Sequence, residues 1–284
     1  MRINHNISSM IGQGALNRQQ TSLSKSLEKL STGLRINRAS DDAAGLSVSE
    51  SLRSKIRGMD RGKTNAEDGI ALVQIAEGAT GEINNILQRM RELSIQSSTD
   101  TMTTTERSYT DKEFGQLMSE VTRISNSASY NGMTLLDGQS GSFGVSGGSA
   151  SVLHIGSGSS TSVDRISITI NAMTLGSLGL SSTTTSVSTA SSALSSLSLI
   201  DTAIKSVNTM RSDMGAYVNR LEFAISNLGN QVYNTQDAES RIRDVDFAKE
   251  TTEFTRAQIL TQSATSMLSQ ANQVPQGVLS LLAH

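Results

Sequence analysis

From Leu197 to Val232 apolar residues recur at alternating steps of three and four: Leu197, Ile200, Ile204, Val207, Met214, Val218, Leu221, Ile225, Leu228 and Val232, with Arg211 the one polar member of the series. That spacing keeps one stripe of an α-helix facing a partner helix, so the chain is constrained to long, coiled-coil-like helices. A second stripe runs through Leu52, Ile56, Met59, Ala66, Ile70, Val73, Ile83, Leu87 and Met90. Ser40, Asp41 and Asp42 ahead of Ala43 supply a cap-type residue and acids suited to a helix start. Continued to about Thr99, this helix would be about 80 Å long at 1.5 Å per residue. A shorter stripe, Phe114, Leu117, Met118, Val121 and Ile124, precedes the turn-forming Tyr130-Asn131-Gly132.

The usual bulky anchors of a compact core are scarce: no Trp, no Cys, 5 Phe and 4 Tyr, which leaves the packing to aliphatic residues and Met. Between Gly138 and Thr189 the character changes, since 31 of the 52 residues are Gly, Ser or Thr and only Asp164 and Arg165 are charged. Within it, the alternation Ile166, Ile168, Ile170 and the cluster Val152 to Ile155 predict short strands paired as a hairpin. The predicted fold class is therefore mainly α: a long coiled-coil-like helical bundle with paired N- and C-terminal helices and a small β-hairpin region. The expected division is 1–43 with 250–284 as a terminal coiled-coil domain, 44–137 with 190–249 as a helical bundle domain, and 138–189 as a hairpin surface region of that bundle.

Both ends carry helical stripes without charge. The 15 residues from Ile3 to Asn17 and the 28 from Ala257 to His284 contain no Lys, Arg, Asp or Glu. A solvated helix normally shows a charged outer face. Amides and hydroxyls, unlike lone charges, can be buried at low cost once hydrogen-bonded, so the pattern predicts helices surrounded by protein on most sides. The residues expected to form that buried assembly core are Ile3, Ile7, Ile11, Leu16, Leu23, Leu27, Leu30 and Leu34 at one end. At the other end they are Leu260, Met267, Leu268, Val274, Val278, Leu279, Leu281 and Leu282. Four such side chains buried on association would contribute on the order of 6 to 12 kcal/mol before ordering costs. Pro275, which costs roughly 3 kcal/mol inside a helix, predicts a local kink or break in the last stripe.

A search for chemistry finds no site. Gly58 to Thr64 approaches a phosphate-binding loop, but three residues separate its glycines where four are required, and it lies inside a helical stripe. His5, His154 and His284 are scattered, with no metal-ligand spacing, and no serine sits in a nucleophile elbow. These readings predict no catalytic residues, no metal, no cofactor and no enzymatic activity. A net charge of -2 gives no basis for nucleic-acid binding. No apolar run reaches the roughly 18 residues of a membrane span, and the N-terminus lacks the apolar region of a cleaved secretory signal.

Several long stretches resemble the bacterial flagellins: LEKLSTGLRINRASDDAAG from Leu27 to Gly45, LQRMRELSIQSS from Leu87, SYNGMTLLDG from Ser129 and MGAYVNRLE from Met214. So do SRIRDVDFAKET from Ser240 to Thr251 and QILTQSATSMLSQANQVPQGVLSLL from Gln258 to Leu282. The resemblance covers roughly 1–137 and 192–284. It implies a structural subunit that polymerises into a flagellar filament and transmits motor torque. The filament would be extracellular or, alternatively, periplasmic or sheathed, and a hook-filament junction protein is the other role with such ends. The implied partners are further copies of the subunit, an export chaperone, and filament cap and junction proteins, with export through the flagellar type III apparatus replacing a signal peptide. The family's large outer domains would fall where this chain has only its Gly/Ser/Thr-rich segment, so a minimal form is implied. Gln88, Arg89, Leu93 and Glu113 match positions that many flagellins present to neighbouring subunits and to the flagellin-sensing Toll-like receptor.

Overall fold

The computed structural model describes residues 6–138, 151–181 and 184–282, the last nine by their backbone alone. Among the described residues there are five helices: α1 (Ile7–Thr32), α2 (Ala43–Ser97), α3 (Thr104–Ser127), α4 (Ala190–Arg243) and α5 (Phe247–Leu282). Two antiparallel hairpins accompany them, β1 (Ser129–Tyr130) with β2 (Met133–Thr134) and β3 (Ser151–His154) with β4 (Arg165–Ile168). The predicted fold class is the observed one. By contacts, the chain divides into the units Met1–Ser54 with Asn234–His284 and Lys55–Tyr233, cutting inside α2 and α4 rather than near residues 43 and 250.

The unit Lys55–Tyr233 is built on the two predicted stripes. Along α4 the series alternates, with Ile200, Val207, Met214, Leu221 and Leu228 buried and the intervening members half-buried. On α2, Met59, Ala66, Val73, Ile83, Leu87 and Met90 are buried against them. The helices run antiparallel, as Arg91 meets Asp201 at 2.7 Å and Thr80 lies 4.0 Å from Met214. Arg211 stays half-buried in the seam, its Nε without a protein partner.

α3 begins at a capping box: the Thr103 hydroxyl accepts from Glu106 N at 3.3 Å, and the Glu106 carboxylate accepts from Thr103 N at 2.7 Å. Arg107 then folds back to close the end of α2, donating to the Ser97 and Thr99 carbonyls at 3.0 and 2.7 Å. Asn131 and Gly132 hold positive φ in the turn between β1 and β2, a conformation that matches the twist of a two-residue hairpin.

The β3–β4 hairpin lies on α2, and glycines make this possible. Gly58, Gly62 and Gly69 face it: a Cβ at Gly62 would stand 2.0 Å from the Ile155 carbonyl oxygen, and one at Gly69 2.3 Å from Leu153 Cδ1. Between them Asn65 donates to the His154 carbonyl at 2.8 Å. The glycines that resembled a failed phosphate loop are a seat for a strand.

Candidate assembly surface

The unit Met1–Ser54 with Asn234–His284 pairs α1 with α5. Asn6 both caps α1, accepting from Ser9 N at 3.1 Å, and donates to the Ala271 carbonyl at 2.9 Å. Lys29 at the other end of α1 lies 3.9 Å from Glu250, so the two helices are antiparallel. The loops that follow and precede them pair as well: Leu34 bridges Asp244, Arg35 N donates to Arg243 O at 2.7 Å, and Val245 N to Gly33 O at 3.0 Å. Gly33 takes a positive φ there and ends α1. Arg243 reaches Glu50 at 2.7 Å, and that hydrogen bond holds the Glu50 carboxyl below its usual range. Asp41 is lowered too, chiefly because it accepts from the backbone N–H of Arg38.

The face α1 turns to α5 differs from the stripe read in sequence. Leu16 and Ser26 are buried and Leu23, Leu30 and Leu34 half-buried, whereas Ile7, Ile11 and Leu27 are exposed at 56, 66 and 56%. On α5 Ala257 is buried and Leu268 seats against Gly12, while Leu260 and Met267 are exposed at 42 and 69%. Of the neighbouring pair Met267 and Leu268, Leu268 lies in the seam and Met267 outside it. Small residues at the contact let helices approach closely, so the pair closes on Gly, Ser and Ala and turns large apolar side chains outward. A hollow of about 280 Å³ between Gly12, Ala15, Leu260, Ala264 and Met267 opens on this surface. Ile3 and the side chains of Val274, Val278, Leu279, Leu281 and Leu282 lie outside the described residues. The α5 backbone continues helical through Pro275 to Leu282, so the predicted break is absent.

Several hydroxyls on α5 are satisfied within the helix. Thr251, Thr255, Thr261 and Ser266 donate to carbonyls one turn back, at 2.7, 2.8, 2.7 and 3.1 Å. A hydroxyl bonded within its own helix loses little when a neighbour covers it.

In the other unit, Leu93 is 1% exposed and belongs to the core, which corrects its reading as a contact residue. Its place three residues after the buried Met90 keeps it on the inner face of the α2 stripe. Gln88, Arg89 and Glu113 are exposed; Arg89 binds Glu113 at 2.9 Å and Glu92 at 3.0 Å, and the Glu113 hydrogen bond raises the Arg89 pKa further. Sequence reasoning missed the glycine seat, although the four-residue step from Gly58 to Gly62 on a helical stripe signals a close approach. It also missed Asp111, which accepts from Val187 N at 2.9 Å and the Ser186 hydroxyl at 3.0 Å and anchors the segment before α4. Among the described residues no group of three or more His, Asp or Glu is placed to hold a metal ion, and no helix is long and apolar enough to cross a membrane.

Long paired helices with outward apolar, charge-free ends define a helical protein that presents an exposed apolar surface. Comparison with known proteins specifies the class. Residues 3–141 match the bacterial flagellin N-terminal helical region and 197–282 the bacterial flagellin C-terminal helical region. The flagellar filament 33 kDa core protein of Treponema phagedenis is 44% identical over 288 residues, covering 99% of this chain and 100% of that one. A flagellin of Halalkalibacterium halodurans is 43% identical over 282 residues, with 99% and 100% covered. Among solved structures, a flagellar hook-associated protein from Vibrio parahaemolyticus superposes with TM-score 0.57 at 15% identity, covering 72% of this chain and all of that one, a likeness of fold. The chain belongs to the bacterial flagellin family. It shares the short form of these relatives, with only residues 142–196 between the two helical regions.

Proposed function

We propose that this protein is the structural subunit of a bacterial flagellar filament, a homopolymer whose inter-subunit contacts are made by α1 and α5 and which carries motor torque along its length. The carrying observation is the outward turn of Ile7, Met10, Ile11 and Met267, 56 to 69% exposed on helices whose terminal segments bear no charge. Burying these four side chains between copies contributes on the order of 6 to 12 kcal/mol per subunit before ordering costs, enough for ordered association. Relatives above 40% identity, one named a flagellar filament core protein and one a flagellin, support this role over that of a junction protein; the likeness to a hook-associated protein at 15% identity speaks to fold alone.

Deleting Val274–His284 tests the reading. The truncated chain should keep the helix content of the unit Lys55–Tyr233 by circular dichroism and fail to extend filament seeds; normal elongation would overturn the role given to α5. Placement outside the cell is the simplest location, and protease digestion of intact cells should remove the filaments; full protection would put them under a sheath or in the periplasm. The export chaperone, cap and junction proteins are the partners that go with this role. The exposed Arg89–Glu113 pair, with Gln88, supports a further contact with a neighbouring subunit or with the flagellin-sensing receptor. Full signalling by an Arg89→Asp variant in a receptor reporter assay would remove the receptor from that list.

A further inference from the structure

The chain has 11 methionines, and the fold treats their sulfurs in two ways. Met59, Met90, Met118, Met173, Met210 and Met214 are 5% exposed or less, all inside the buried cluster of the unit Lys55–Tyr233. Met10 on α1 and Met267 on α5 are 68 and 69% exposed, against 37% for Met133 and a half-buried Met102. The two open thioethers belong to one stretch of the α1–α5 pair. Met10 lies between two points at which α1 meets α5: Asn6 donating to the Ala271 carbonyl at 2.9 Å, and Gly12 against Leu268. Met267 adjoins Leu268 and lines the hollow shared with Gly12 and Ala15. Each belongs to an exposed apolar row, with Ile7 one turn from Met10 and Leu260 two turns from Met267.

A thioether reacts with a peroxide unaided. The sulfur lone pair attacks one peroxide oxygen and the O–O bond breaks; the hydroxyl now on sulfur gives its proton to the departing hydroxide, which leaves as water. Sulfur is oxidised by two electrons to the sulfoxide and the peroxide is reduced by the same two. The sulfur must be reached for this to happen, so exposure ranks the methionines. The product places a polar oxygen on a side chain that was apolar. Its nearest candidate donors are committed: the Thr265 and Ser266 hydroxyls both donate to the Gln262 carbonyl, at 2.7 and 3.1 Å. A sulfoxide oxygen buried between copies without a donor weakens association on the order of tenfold.

We propose that Met10 and Met267 form an oxidation-sensitive site, at which peroxide turns the unassembled subunit into one that cannot join a filament, and that assembly, by covering both sulfurs, makes the finished filament resistant. The proposal rests on the filament reading. Monomers treated with dilute hydrogen peroxide should, by peptide mass spectrometry, gain oxygen at Met10 and Met267 before the six buried methionines, and the same treatment of finished filaments should spare both. Treated monomers should extend filament seeds about tenfold more slowly, and methionine sulfoxide reductases of both stereospecificities should restore the rate. In chains carrying Met10→Leu and Met267→Leu, compared with their own untreated sample, peroxide should leave elongation unaffected, which separates these two sites from Met102 and Met133. Oxidation at Met10 and Met267 that leaves elongation at the untreated rate, or a loss of elongation that the reductases do not reverse, would overturn the site while leaving the filament role intact. Untreated chains that fail to extend seeds would overturn both.

Discussion

At position 62 the absence of a side chain decides where a hairpin lies. A Cβ there would meet the Ile155 carbonyl, a backbone atom that moves only if β3 lifts from α2, so Gly62→Ala should lower monomer stability by about 1 to 3 kcal/mol in urea unfolding. Gly78 makes the contrast: nothing lies within 4 Å of its added Cβ, so Gly78→Ala, which removes a flexible residue from a helix interior, should stabilise by up to about 1 kcal/mol in the same measurement. Glu50 shows the electrostatic counterpart. Its carboxyl is held low by Arg243, so the ion pair's contribution is present above the ordinary glutamate pKa and is lost as pH falls through the lower folded value. The effect is small because Glu50 is exposed. Glu50→Gln should flatten the fall of the melting temperature between neutral pH and about pH 4.

At the scale of elements, ends matter as much as stripes. α3 starts where Thr103 and Glu106 satisfy each other's backbone N–H groups, so Thr103→Ala should cost about 1 kcal/mol by chemical denaturation. Glu106 is held below its usual range mainly by the Thr103 N–H, so its share of that stability is also lost on acidification. These devices were legible in the sequence only in part. The long stripes of α2 and α4 were plain because burial follows heptad spacing where two helices cover each other along their length. Which residues meet in the α1–α5 seam is not legible in the sequence, because periodicity marks a helix face without ranking a small residue against a large one as the closer contact. Gly12, Ser26 and Ala257 make the closer fit and displace Ile7, Ile11, Leu27 and Met267 outward.

For the whole molecule the consequence is a difference between its parts. The unit Lys55–Tyr233 holds a continuous buried cluster from Met59 to Leu228, whereas among the described residues of α1 and α5 the buried side chains are few. Local opening is cheapest where few apolar contacts resist it. Amide hydrogen exchange in the monomer should therefore be fast along α1 and α5 and slow along the seam of α2 and α4, with the terminal helices becoming protected on polymerisation; equal protection of all four in the monomer would oppose their role as assembly helices.

The helical class, the three inner stripes, the hairpin strands and the charge-free ends follow from the sequence alone, because periodicity and the cost of burying charge act locally along the chain. Which apolar residues remain exposed was settled only in three dimensions. A stripe shows that a helix has a face to bury, but the distance of closest approach, set by Gly12 against Leu268 and Gly62 against Ile155, chooses the neighbour that covers it.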